Sequence, residues 1–142
     1  MLKKFILIGS LAVLFLTPLS SYARTVEDRL ATQSIIVQEA VAVGVDPGLA
    51  IFLAAIESDF DHLVKNRAGS SARGLYQFID STWYNLCSKN WQARLDPVMN
   101  TRCAMKLIAA GKISHWTADP HTKRRLRAAG FITEYGQLAY RD

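Results

Sequence analysis

A single, mostly α-helical domain is predicted for this chain of 142 residues. Three observations predict it. Asp-Pro occurs at Asp46-Pro47, Asp96-Pro97 and Asp119-Pro120; Asp caps a helix, and Pro fits the first turn, where its missing N–H costs nothing. Gly44, Gly111 and Gly130 stand where helices would stop, since glycine readily takes the left-handed conformation of a C-terminal cap. Between these marks apolar residues recur at three- and four-residue spacing, the stripe that one helix face needs for packing.

Met1 to Ala23 reads as an export signal that precedes the domain. Lys3 and Lys4 supply a positive start, Phe5 to Leu16 an apolar middle, and Ser21 and Ala23 of Ser21-Tyr22-Ala23 the small residues at the two positions a signal peptidase reads. The apolar run is short for a membrane-spanning helix. No cysteine near the cleavage point offers a lipid anchor, so no stable membrane anchor is expected once the signal is cut. An uncleaved anchor is the alternative. Cleavage would leave residues 24–142, enough for one domain with one core. Without Lys3 and Lys4, the 17 basic residues fall to 15 against 12 acidic ones, a net charge of +3. Such a balance suits an anionic cell wall, nucleic acid or acidic lipid alike; the export signal argues against nucleic acid.

The elements follow in order. Thr25 is expected to cap a first helix, with Asp28 in the capping-box position. Val26, Leu30, Ile36, Val37, Ala40 and Val41 fall in one broad arc expected to pack, with Gln33 inside it. Asp46-Pro47 begins the second helix. Residues 66–73 have little helix propensity and are read as a small β-hairpin. Asp80 or Ser81 begins a third helix containing Trp83, Tyr84 and Leu86; Trp83 is read as core. Asp96-Pro97 opens a fourth to about Ala110, and Asp119-Pro120 a fifth to about Ala129. Tyr135 to Asp142 reads as a loose tail. Cys87 and Cys103 are the two cysteines; an even count in an exported chain predicts one disulfide, with two buried free thiols as the alternative. Three scattered His and two Cys show no ligand spacing, so no metal or other cofactor is expected.

The second helix carries the chemistry. Ala50, Leu53, Ala54 and Glu57 share one of its faces. A carboxyl on a buried face resists ionisation, because desolvation penalises the charged form. A carboxylic acid that keeps its proton near neutral pH is what general acid catalysis needs. Asp59, Asp61 and Asp80 are the other acids considered. Asp61, four after Glu57, would be a second carboxylate if the helix continued, but is read as a turn residue.

Glu57-Ser58, Phe60, Gly69 through Arg73, Gly74-Leu75-Tyr76-Gln77-Phe78 and Ser81-Thr82-Trp83 together resemble the catalytic core of the soluble lytic transglycosylase family. The likeness is dense from about Val43 to Trp83 and thins beyond. It implies a lysozyme-like fold and cleavage of the glycan strands of peptidoglycan, in the periplasm or outside the cell. By resemblance, Glu57 protonates the glycosidic oxygen leaving N-acetylmuramic acid, and then takes the proton of that sugar's C6 hydroxyl. O6 closes on C1 to give a 1,6-anhydro product. Ser58 matches the serine that faces the N-acetyl group. Gly74 lets backbone approach the sugar. Tyr76 stacks on a sugar or serves as a half-buried strut. Gln77 hydrogen-bonds a glycan amide or hydroxyl. Asn100 matches an asparagine on a helix contributing to the groove.

The departures come late. Thr101 and Ala104 replace the family's usual isoleucine and glycine. His115-Trp116-Thr117-Ala118 stands where the family has Tyr-Asn-Ala-Gly, whose tyrosine bonds the acid. Two further readings stay open: a lysozyme-type hydrolase, and a non-catalytic glycan-binding or scaffold protein. A role beside a cell-envelope machine fits a small enzyme of this kind. The basic run Lys123, Arg124, Arg125 and Arg127 is read as a solvated helix face.

Overall fold

A computed structural model describes residues 17–66 and 68–139, with side chains from Thr25 onward. Most of the expected export signal therefore lies outside the described residues. The elements are α1 (Thr17–Ala42), α2 (Pro47–Ser58), α3 (Asp80–Thr82), α4 (Pro97–Ala109), α5 (Ser114–Thr117) and α6 (Pro120–Ala128). α3 passes directly into a π-helical turn, Trp83–Cys87, and a 3₁₀ turn spans Gln92–Leu95. The fold is mostly helical, as the sequence predicts.

All three Asp-Pro starts form. Asp46 accepts from the N–H groups of Gly48 and Leu49, Asp96 from that of Met99, and Asp119 from that of Thr122. α1 departs from expectation at its start. It runs unbroken from Thr17, so Thr25 lies inside the helix and caps nothing. Pro18 sits in the first turn, where it is tolerated, and nothing between there and Thr25 breaks the helix.

The expected arc on α1 packs only along one edge. Thr32, Ile36 and Ala40 are buried, while Leu30 and Val41 stay 60% and 63% exposed. Val26 and Val37 are also exposed. The arc is wider than the strip that α2 and α4 cover, since both pack on α1.

Leu53, Leu75, Tyr76, Trp83, Met105, Ile108 and Leu126 form the centre of the core. Trp83 is fully buried, as expected, and its Nε1 donates to the Asn90 carbonyl at 2.9 Å. The helix expected at Asp80 or Ser81 begins at Asp80 and is one α turn followed by a wider π turn, in which the Ser88 N–H reaches the Trp83 carbonyl. Cys87, at the end of that turn, is disulfide-bonded to Cys103 of α4. The hairpin expected at 66–73 is reduced to isolated antiparallel bridges, Lys65 with Arg73 and Arg73 with Phe78. The supposed loose tail is folded back as far as Ala139. Ile132 bridges Leu138, and the Ala139 N–H donates to the Phe131 carbonyl at 2.9 Å. Tyr140 to Asp142 lie outside the described residues.

Candidate active site

Glu57 stands in the last turn of α2 and lines a cavity of about 620 Å³. α2 ends there for a visible reason. Asp59 and Phe60 both adopt left-handed backbone, with φ of 51° and 67°. Each costs on the order of 1–2 kcal/mol for a residue with a Cβ. Two contacts hold them. Arg29 grips the Asp59 carboxylate with its two terminal guanidinium nitrogens at 2.8 Å and also reaches its carbonyl. The Phe60 ring is buried beneath the same guanidinium. The reversal carries Asp61 off the face of Glu57. Asp61 caps a turn instead, accepting from the Leu63 N–H at 2.8 Å.

The cavity wall opposite comes from the loop after Ala72 and from α5 and the head of α6. Gln77, Phe78, Ile79, Thr82, His115, Trp116 and Asp119 line it. The Gly74–Phe78 turn is held from several directions. The Tyr76 N–H donates to Asn100 Oδ1 at 3.0 Å, and its carbonyl accepts from Trp116 Nε1 at 2.9 Å. Asn100 Nδ2 donates in turn to the Arg94 carbonyl. The buried Arg94 guanidinium donates to the Phe78 carbonyl and pairs with Asp80 at 2.6 Å. Gly74 has φ +80°, and a Cβ there would run into the Arg94 carbonyl and the Asn100 amide. Only glycine fits that crossing.

The residues named from sequence therefore separate. Glu57 and Gln77 border the cavity. Gln77, itself left-handed at φ 49°, donates from Nε2 to the Gly74 carbonyl at 2.9 Å and reaches the Val64 carbonyl at 3.4 Å. Tyr76 borders the cavity but has no exposed surface, and its hydroxyl donates to the Ala50 carbonyl. Its ring is a buried strut and presents no face to a sugar; burial pushes its phenol pKa up. Asn100 is fully buried at the start of α4, with both amide atoms bonded within the protein. Gly74 is also buried, so its close approach is to protein backbone. Ser58 is not brought to the cavity. Its hydroxyl donates to the Ala54 carbonyl, and it borders a separate recess with Arg29, Asp59 and His62. Adjacent helical residues point about 100° apart, so the neighbour of a cavity residue faces elsewhere.

Two residues at the site were not anticipated. The Thr122 hydroxyl donates to Glu57 Oε1 at 2.9 Å. Asp119, the cap of α6, lines the cavity beside it. The Glu57 carboxyl is held above its ordinary range, first by desolvation and further by the negative charge of Asp119, while the Thr122 hydrogen bond acts the other way. A signal for Thr122 does exist in the sequence. It lies four residues before Leu126, so the pair share a face, and a hydroxyl on a buried face calls for a partner.

Residues 34–114, more than half of the chain, match the family model described as the transglycosylase SLT domain. The chain belongs to that family. No curated protein and no solved structure matches it. Membership carries a lytic-transglycosylase-like function in general, with peptidoglycan as substrate and action on the cell wall outside the cytoplasm. The disulfide fits an oxidising compartment. Among the described residues no helix is long and apolar enough to cross a membrane, and no cluster of His, Cys, Asp or Glu could hold a metal ion.

Proposed function

We propose that the protein cleaves the bond between N-acetylmuramic acid and N-acetylglucosamine in peptidoglycan, with Glu57 as the single acid and base. One observation carries this reading: a half-buried carboxyl at a cavity wall, its pKa raised chiefly by desolvation. The acid gives its proton to the glycosidic oxygen as the C1–O bond breaks. The carboxylate left behind takes the proton of the C6 hydroxyl, and O6 bonds to C1. Glu57 ends as it began, and no water enters the product. Gln77 offers its amide oxygen to a sugar hydroxyl or acetamido N–H. His115, exposed at the cavity rim, can donate or accept there. Export by the 1–23 segment and action in the periplasm or beyond belong to the same proposal.

Asp119 favours a second reading. A second carboxylate on the same cavity is what a lysozyme-type hydrolase uses to activate water or stabilise the sugar cation. Digestion of purified sacculi, followed by mass spectrometry of the fragments, decides between them. Anhydro-ended muropeptides are the expected product. Reducing ends throughout would establish hydrolysis. Equal inactivity of wild type and Glu57→Gln would leave only a glycan-binding role.

A further inference from the structure

The family match ends at residue 114, yet a hydrogen bond to the acid comes from beyond it. Thr122 sits in the first turn of α6 and is 3% exposed. Its main-chain N–H donates to Asp119 Oδ2 at 2.8 Å, and its hydroxyl to Glu57 Oε1 at 2.9 Å. One residue is thus clamped at both ends. The cap fixes the backbone of the turn, and the fixed turn aims the hydroxyl.

We propose that Thr122 is the positioning residue of the acid: its hydroxyl keeps Glu57 Oε1 as an acceptor, so that Oε2 carries the proton delivered to the glycosidic oxygen and retrieved from the sugar hydroxyl. The chemistry follows from the donor. A carboxylic acid has one carbonyl-type oxygen and one O–H. A hydroxyl donating to Oε1 favours the form in which that oxygen bears no proton. The same bond strengthens when Glu57 ionises, since hydrogen bonds to charged acceptors are stronger than those to neutral ones. Thr122 thereby selects the oxygen that reacts and stabilises the carboxylate formed midway. It takes up the support that the family's motif tyrosine would give at 115–118, where this chain has Trp116, bonded instead to the Tyr76 carbonyl. The other titratable groups about the acid are Asp119 on α6, His115 on the cavity rim and the Tyr76 phenol, which donates to Ala50.

This assignment rests on the reading of Glu57 given above, and the test separates the two. Thr122→Val removes the hydroxyl at nearly constant shape; Thr122→Ser keeps it. On soluble glycan strands, Thr122→Val is expected to lose about 10- to 100-fold in kcat, the range of a hydrogen bond to a charged group, with KM little changed. The alkaline limb of its pH–rate profile should move to higher pH, because the bond that lowers the acid's pKa is gone. Thr122→Ser should stay within about threefold of wild type on the same grounds. Carbon-13 NMR titration of the Glu57 carboxyl should show the same upward displacement in Thr122→Val and its reversal in Thr122→Ser, a readout that a purely structural role would not move. Should Thr122→Val fail to fold, Thr122→Ala serves in the same titration. Active wild type, inactive Glu57→Gln and a hydroxyl-free variant with unchanged rate and titration would overturn the role of Thr122 alone. Wild type and Glu57→Gln that leave sacculi equally intact would overturn the catalytic reading and this assignment with it.

Discussion

Trp116 Nε1 donates to the main-chain carbonyl of Tyr76 across 2.9 Å. The Tyr76 main chain is thereby gripped through both its polar groups, since its N–H already donates to Asn100. The tryptophan thus serves the loop beside the acid and leaves the acid itself to α6. Its ring also meets those of Tyr76 and Phe78 edge-on, so the grip is apolar as well as polar.

Removing the indole N–H should weaken the fold measurably. Trp116→Phe leaves the Tyr76 carbonyl buried without its partner, a loss of about 1–3 kcal/mol on top of a small packing change. Chemical denaturation checks it. An unchanged midpoint would mean that the carbonyl had found another donor.

Gly74→Ala should cost more. The position combines a left-handed backbone with direct collision against the Arg94 carbonyl and Asn100. Both neighbours are themselves fixed, Asn100 by two hydrogen bonds. Strain and displacement together should exceed about 3 kcal/mol, the upper range for single substitutions. Loss of the cooperative thermal transition, or a large fall in its midpoint, is the expected result. A shift of only a degree or two would show the crossing to be looser than described.

Stability should depend on pH with opposite signs at two glutamates. Glu57 is held above its ordinary value of 4.5, first by desolvation. Its contribution is fully present below that value and is lost as pH rises through the folded value. Glu39 is held below 4.5, first by its hydrogen bond to Arg102, and the pair lies at 2.7 Å between α1 and α4. Its contribution is present above the ordinary value and is lost as pH falls through the folded one. Glu57→Gln should therefore melt higher than wild type at neutral pH, with the gain vanishing in acid. Glu39→Gln should melt lower at neutral pH, with the loss vanishing in acid. Melting curves across the acid range test both; parallel behaviour of the two variants would refute the assignment.

The disulfide joins the π turn after α3 to α4. Closing a loop of its length limits the unfolded chain by about 3 kcal/mol in the chain-entropy model. Cys87→Ser with Cys103→Ser, or reduction of the native protein, should lower the unfolding free energy by that order. Urea titration with and without reductant measures the effect, and coincident curves would count against it.

Local signals were the legible part of this chain. The Asp-Pro starts, the glycine stops, the buried face ending in Glu57 and the cysteine pair each depend on residues close in sequence or on simple parity. The Gly74–Phe78 segment stands out in the sequence, but the roles of its members do not. Tyr76 and Asn100 looked like candidates for sugar contact; both are buried, because the turn that shapes the cavity needs its own backbone bonded. Ser58 matches the family's serine by motif, yet as the helical neighbour of Glu57 its side chain turns about 100° away and borders another recess. The arc on α1 was overcounted because its pattern does not say how wide a strip its neighbours cover.

Sequence alone determined that this chain is helical, where most of its helices begin, and which carboxyl sits on a buried face, because capping and periodicity act over one to four residues. Tertiary structure decided what touches that carboxyl. Thr122 lies 65 positions from Glu57, and Trp116 lies 40 from Tyr76. No local rule couples residues so far apart: only the packing of α6 against α2, and of α5 against α6, brings a hydroxyl to the acid and an indole to the loop.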